Sequence, residues 1–231
     1  MTNSESRLMT EIGSAKLREI SANTALYADF LKFQGRIFKH PAAVALEFYA
    51  QRPDSKFIAT AGQWAAAGYR IKDGGTALHF TDENGNRLDL FDFSQIDGHI
   101  APRLWTLNNE NAEQFREALG VPPNAPIVRS TIEKTVNKSC VLDCMEALGI
   151  PPNQFDVFQK TYWAAVQTVI AGRYEVGGNQ FDISPDMTAF QALDDSRKMY
   201  FLSHVSMTAK NSLLQIEKIA NEILKIGRAH V

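Results

Sequence analysis

YAQRPDSKFIATAGQWAAAGYRIK, residues Tyr49–Lys72, is the stretch on which the reading of this chain turns. It joins the end of an apolar helix to a turn fixed by Pro53, a short strand at Phe57-Ile58-Ala59, a helix led by Thr60, and an exit through Gly68. Thr60 is placed to cap that helix, because a hydroxyl there satisfies one of the N–H groups left open at a helix start. Gly68 suits the helix end, where a positive φ costs glycine little. Gln51, Arg52, Trp64, Tyr69, Arg70 and Lys72 bring amide, aromatic and basic groups together here. Arg70 and Lys72 alternate, so an extended backbone puts both on one exposed face. Trp64 lies in an apolar Trp-Ala-Ala-Ala run, a setting in which tryptophan more often joins the core.

Upstream, residues 1–22 read as a solvated lead-in helix with Gly13 as its weak point. Asn23-Thr24 caps a second helix, in which Leu26, Tyr27, Phe30, Leu31, Phe33 and Phe38 recur near a 3.6 period. Its polar side carries Lys32, Arg36 and Lys39. His40-Pro41 ends it, since the residue before proline is pushed out of the α region. Ala42–Gln51 is almost wholly apolar and is expected to be buried. Downstream, Ala77–Thr81 and Arg87–Phe93 read as two strands, and Asn84-Gly85 between them as a type I′ hairpin turn.

Residues 23–106 are therefore expected to form an α+β module, with helices on a small antiparallel sheet that includes a β-hairpin. Residues 107–225 read as a mostly α-helical extension. Glu117-Ala-Leu-Gly-Val-Pro-Pro-Asn and Glu146-Ala-Leu-Gly-Ile-Pro-Pro-Asn share one stop chemistry: glycine to end the helix, an apolar residue to fold back, proline to forbid continuation. Ser130-Thr-Ile-Glu133 predicts a capping box opening a helix through Cys140 to Leu148. Further helices are expected over Phe155–Gly172, Met187–Leu193, Lys198–His204 and Ser212–Ile226, with a loop or small hairpin around Gly177-Gly178. Ile226-Gly-Arg-Ala-His-Val231 back-translates to a common sequencing-adapter string. Residues 226–231 are accordingly expected to be non-native and the reading frame to be cut short.

Among 231 residues, 45% are hydrophobic and 22% charged, enough for a real core. Without an apolar run of roughly 18 residues or a signal-type leader, a soluble cytoplasmic protein with no membrane contact is expected. The two cysteines, Cys140 and Cys144, are too few for a disulfide framework and read as small apolar residues of one helix face. Metal-protease, P-loop, nucleophile-elbow and dinucleotide motifs do not occur. The histidines are scattered, and Asp89 and Asp92, three apart on a strand, face opposite sides. No catalytic residue, metal ligand or cofactor is expected.

The charge is distributed unevenly. Lys32 to Lys72 holds seven basic residues and two acidic ones, whereas Asp73 to Asp97 holds six acidic residues and one basic. A chain of net charge −2 can thus present one basic surface, and a phosphate backbone responds to local potential. Cations along a groove with aromatic faces for bases are how single strands are bound without sequence readout. Lys32, Arg36, Lys39, Gln51, Arg52, Trp64, Tyr69, Arg70 and Lys72 form the candidate nucleic-acid-binding set.

The order Phe30…Phe38-His40, Leu46…Tyr49-Ala-Gln51-Arg-Pro53-Asp54, Trp64…Gly68-Tyr-Arg-Ile71-Lys72…Gly74 resembles the N-terminal domain of the antirestriction protein ArdC. It is most similar to the version opening large multidomain proteins of Firmicutes plasmids and conjugative elements. Leu90-Phe-Asp-Phe-Ser-Gln95 and Pro102-Arg-Leu-Trp105 fit that version, and the resemblance covers about residues 24–106. It implies single-stranded DNA binding in a mobile-element protein, with Gln51, Pro53, Trp64, Gly68, Ile71, Lys72 and Gly74 as the matching positions. Tyr69 and Asp73 stand where the family usually has basic residues, and Gly75-Thr-Ala77 replaces a Lys/Gly run, lowering the local positive charge. ArdC's metalloprotease half is absent. The alternative reading is a non-catalytic scaffolding module that docks downstream domains or host proteins through the Leu213–Ile223 helix.

Overall fold

The side chain of Asn23 accepts from the backbone N–H groups of Ala25 and Leu26, at 2.9 and 3.1 Å, and so starts the helix around which the others gather. The computed structural model describes residues 11–81, 86–98, 111–123, 125, 137–173 and 185–226. In chain order these form α1 (Glu11–Ala22), α2 (Thr24–Arg36), α3 (Ala42–Gln51), β1 (Ile58–Ala59), α4 (Ala61–Ala66), β2 (Arg70–Ile71), β3 (Leu78–Thr81), β4 (Arg87–Asp92) and β5 (Ile96–Asp97). Then follow α5 (Ala112–Ala118), α6 (Lys138–Leu148), α7 (Phe155–Ala171), α8 (Thr188–Gln191) and α9 (Asp195–Ile226). The fold is α+β, as the sequence predicts.

α2 lies along α7, and the two touch backbone to backbone. A Cβ on Gly35 would overlap the carbonyl oxygen of Val169, and one on Gly172 would overlap that of Lys32. Around this crossing Tyr27, Phe30 and Phe33 of α2 and Tyr162, Val166 and Val169 of α7 are fully buried. α9 packs on α7 and α3, so helices from both halves of the chain close over one apolar core that runs from Leu17 to Ala220.

The small sheet has the order β1-β4-β3, all antiparallel. Its strands alternate: Phe80 and Leu90 turn inward, and Phe80 stacks on Phe48 of α3 with ring centroids 6.0 Å apart. A second ribbon pairs β2 with β5, Arg70 opposite Asp97 and Ile71 opposite Ile96. Strand β5 has no counterpart in the sequence reading, because two residues carry too little pattern to be recognised.

Helix ends follow local chemistry closely. Thr60 and Gln63 form a reciprocal capping box at the start of α4. Gly68, at φ +86°, ends α4 with Tyr69 N–H bonded back to Trp64 and Gly68 N–H to Ala65. The two Gly-Val/Ile-Pro-Pro stops repeat that pattern: Val121 N–H reaches the Arg116 carbonyl, and Ile150 N–H that of Met145.

Three expectations need correction. α1 is not a solvated lead-in: Gly13, Leu17, Ile20 and Ser21 make a buried stripe against α3. Gly13 there permits close approach, since a Cβ would meet Glu47 Cγ at 3.0 Å. The helices expected at Lys198–His204 and Ser212–Ile226 are one helix, α9, because Val205–Asn211 contains neither glycine nor proline to interrupt it. The helix carrying Cys140 begins at Lys138, where the Asn137 side chain accepts from Cys140 N–H at 3.0 Å. Across the hairpin, Thr81 pairs with Arg87. Asn84-Gly85, Ser130–Glu133, Gly177-Gly178 and the tail after Ile226 lie outside the described residues.

Replacing Gly35 by alanine should lower the free energy of unfolding by about 3 kcal/mol, the upper part of the overpacking range, because a backbone carbonyl cannot rotate away. Gly62, on the exposed side of α4 with nothing nearer than 4.0 Å to an added Cβ, should respond with the opposite sign when made alanine. There the helix gains roughly 0.4–1 kcal/mol. Urea denaturation of the two variants checks both signs.

Candidate nucleic-acid interface

Asp92 and Gln95 position the aromatic surface of the candidate site. Asp92 Oδ1 accepts from Ser94 N–H at 2.9 Å, and Gln95 Oε1 accepts from Asp92 N–H at 2.9 Å. This capping box forces residues 93–95 into one 3-10 turn and swings Phe93 outward, where it is 37% exposed. Phe93 meets Phe57 edge to face, with centroids 6.3 Å apart, and Trp64 at 6.3 Å. Trp64 in turn meets Tyr69 edge to face at 5.7 Å. The result is a row, Phe57–Phe93–Trp64–Tyr69, running across α4 and the strand ends.

Trp64 is the buried member of this row. It is 6% exposed, and its indole N–H donates to the Phe91 carbonyl at 3.1 Å. A buried indole cannot offer a face to a base; the exposed ring of the row is Phe93, against which Trp64 packs. Tyr69 is half-buried, its ring lying against Gly98, where any Cβ would overlap it.

The cations divide into two groups. At one end of the row, Lys72 Nζ donates to the Ser94 carbonyl at 2.7 Å, beside Phe93. Arg70 is 83% exposed and stands 3.8 Å from Asp97. An exposed pair of this kind contributes about 0–1 kcal/mol, little enough for a phosphate to displace Asp97. At the other end, Arg36 donates to the carbonyls of Pro53 (3.1 Å) and Ser55 (3.3 Å), clipping the turn that leads into β1. Lys39 pairs with Glu217 at 2.9 Å. Exposed Gln51 turns its amide back to the Glu47 carbonyl, and Arg52 and Lys32 are half-buried.

Sequence reasoning missed Phe93, Phe57 and Arg173. The Asp-x-x-Gln spacing of a capping box was the available signal for Phe93. Arg173 has no sequence signal; it reaches the first half of the chain only because α7 crosses α2. Its guanidinium lies over the rings of Phe38 and Phe57, 5.4 and 5.7 Å from their centroids, joining the second cation group to the aromatic row.

Asp89, Asp92 and Cys144 have structural settings. Asp89 lies on the outer face of the sheet with hydrogen bonds first from Arg87 and then from His79, which hold its carboxyl below the usual range. Asp92 is buried on the inner face, as the alternation predicts. Burial pushes the Cys144 thiol up to about 12, far from the thiolate form. Among the described residues no cluster of His, Cys, Asp and Glu is placed to hold a metal ion, and no helix is long and apolar enough to cross a membrane. Comparisons with protein-family models, with curated proteins and with solved structures find no match for this chain.

Two histidines tie stability to pH. His40 Nε2 donates to the Ile58 carbonyl at 3.1 Å. Burial lowers its pKa from the ordinary 6.5, the bond to Ile58 opposes this, and Lys210 lowers it further. His204, bonded through Nδ1 to the Tyr162 hydroxyl at 2.8 Å, is lowered by burial, with Asp143 opposing. The folded protein therefore takes up these protons less readily than the unfolded chain. Their stabilisation is complete above pH 6.5 and is lost as pH falls below it towards the folded values. The urea midpoint should drop between pH 7.5 and pH 5.5, and His40→Asn, which keeps a donor for Ile58, should reduce the drop.

Proposed function

We propose that the surface formed by Phe93, Tyr69, Arg70 and Lys72 binds single-stranded DNA, and that this chain contributes binding and not catalysis. The observation that carries the reading is an exposed phenylalanine held outward by a capping box, in a row of aromatic rings with cations at both ends. A base stacked on such a ring gains roughly 1–3 kcal/mol without sequence readout, and the flanking cations follow the backbone. The residues shared with the ArdC N-terminal pattern support the same reading and associate the protein with mobile DNA. For the docking alternative, the relevant face of α9 is already in use inside the protein: Leu213, Ile216 and Ala220 are fully buried.

Fluorescence anisotropy with labelled single- and double-stranded oligonucleotides at two salt concentrations tests the proposal. The single strand should bind more tightly and with marked salt dependence. Phe93→Ala should weaken it by roughly 5- to 150-fold, corresponding to about 1–3 kcal/mol for one stacked base. Arg70→Ala/Lys72→Ala should flatten the salt slope by about 0.7 for each phosphate no longer neutralised. Arg70 and Lys72 are exposed, and Phe93 is the outermost ring of the row, so circular dichroism should remain that of the wild type. Undetectable binding at low salt, or unchanged binding by Phe93→Ala, would overturn the assignment.

A further inference from the structure

Between the end of α2, β1 and the outer turns of α9 lies a cleft of about 240 Å³, lined by Arg36, Lys39, His40, Phe57, Arg173 and Glu217 among others. One water needs only about 10–15 Å³ on such a measure, so the space admits a larger solvated group. Three permanently charged residues of positive sign line it, against one carboxylate. A fourth, Lys210, stands at the rim with Nζ 3.5 Å from the Lys39 carbonyl. The distribution is unusual because Arg173 is 7% exposed. Withdrawing a guanidinium from water is costly, and proteins ordinarily do so where a specific anion or a planar acceptor is met.

The guanidinium is held from several sides. Phe38 and Phe57 support it by cation–π contact, and Nη1 donates to the Arg36 carbonyl at 3.4 Å. Glu217 supplies the negative charge the cleft otherwise lacks: it binds Lys39 at 2.9 Å and acts on Arg173 through space. A carboxylate in that place does what a phosphate oxygen would do.

We propose that this cleft is a phosphate subsite, in which Arg173, Arg36 and Lys39 hold a phosphate group and Glu217 is the internal anion that it displaces. The inference rests on the cleft alone and does not depend on Phe93 or on the strand-binding reading. Its ligand is defined as a phosphate group, borne either by a nucleic-acid backbone or by a free small molecule.

Isothermal titration of the whole chain with inorganic phosphate, against chloride at matched ionic strength, is the test. Wild type should show saturable binding with phosphate and none with chloride. Glu217→Gln removes the competitor and should tighten binding roughly tenfold, whereas Lys39→Ala should weaken it by a similar factor, as charge-assisted hydrogen bonds do. Arg173→Gln should abolish it. If that variant does not fold, the opposite signs of the Glu217 and Lys39 variants still decide, since an arginine with a merely structural role gives no phosphate affinity to move.

Addition of unlabelled single-stranded oligonucleotide separates the two sources. Displacement of phosphate assigns the subsite to the strand backbone, and co-occupancy assigns it to a free phosphorylated ligand. An absence of saturable phosphate binding in both wild type and Glu217→Gln would overturn the proposal.

Discussion

The close approach of α2 and α7 at Gly35 and Gly172 is the constraint from which the rest of the arrangement follows. Two helices whose backbones touch have no room for side chains at the crossing, so their aromatic residues must fan out on either side. Tyr27, Phe30 and Phe33 do so from α2, and Phe158, Tyr162 and Val166 from α7. The surrounding elements then cover that fan: α3 packs on α2, α9 packs on α7 and α3, and the sheet packs on α3 through Phe80. Aromatic contacts mark the seams, with Tyr27 stacked on Phe190 at 4.7 Å and Phe158 edge-on to Phe201 at 5.7 Å.

The same crossing positions Arg173. Arg173 follows directly after Gly172, and the close approach of α7 to α2 sets its guanidinium among Phe38, Phe57 and the Arg36 carbonyl. Residues more than a hundred positions apart in sequence thus become one cation cluster. Phe57 belongs both to that cluster and to the row that continues through Phe93 to Tyr69. Core packing and surface chemistry are in this way coupled: a change in the helix crossing would move Arg173 away from the rings it touches.

Individual side chains show two kinds of duty. Trp64, expected from the sequence to meet nucleic acid, is a buried support under Phe93, and the Arg36 guanidinium fastens the turn before β1 while lining the cleft beside Arg173. Arg70 and Lys72 remain at the surface, tied to Asp97 and to the Ser94 carbonyl. The acidic run after Asp73 does not bury these cations. It supplies one exposed partner, Asp97, a cap, Asp92, and a separate ion cluster around Asp89 on the outer face of the sheet.

What the sequence determined by itself was local. Caps at Asn23 and Thr60, the stops at Gly68, Gly120 and Gly149, the buried α3 and the alternation of the two hairpin strands all rest on interactions within a few residues. They were legible for that reason. The tertiary structure decided everything that required knowing a partner. It placed α1 in the core and brought Arg173 across to Arg36. An amphipathic stripe or a lone arginine reads the same whether it meets solvent or another helix. The packing of α1 on α3 decided the first, and the approach of α7 to α2 through two glycines decided the second.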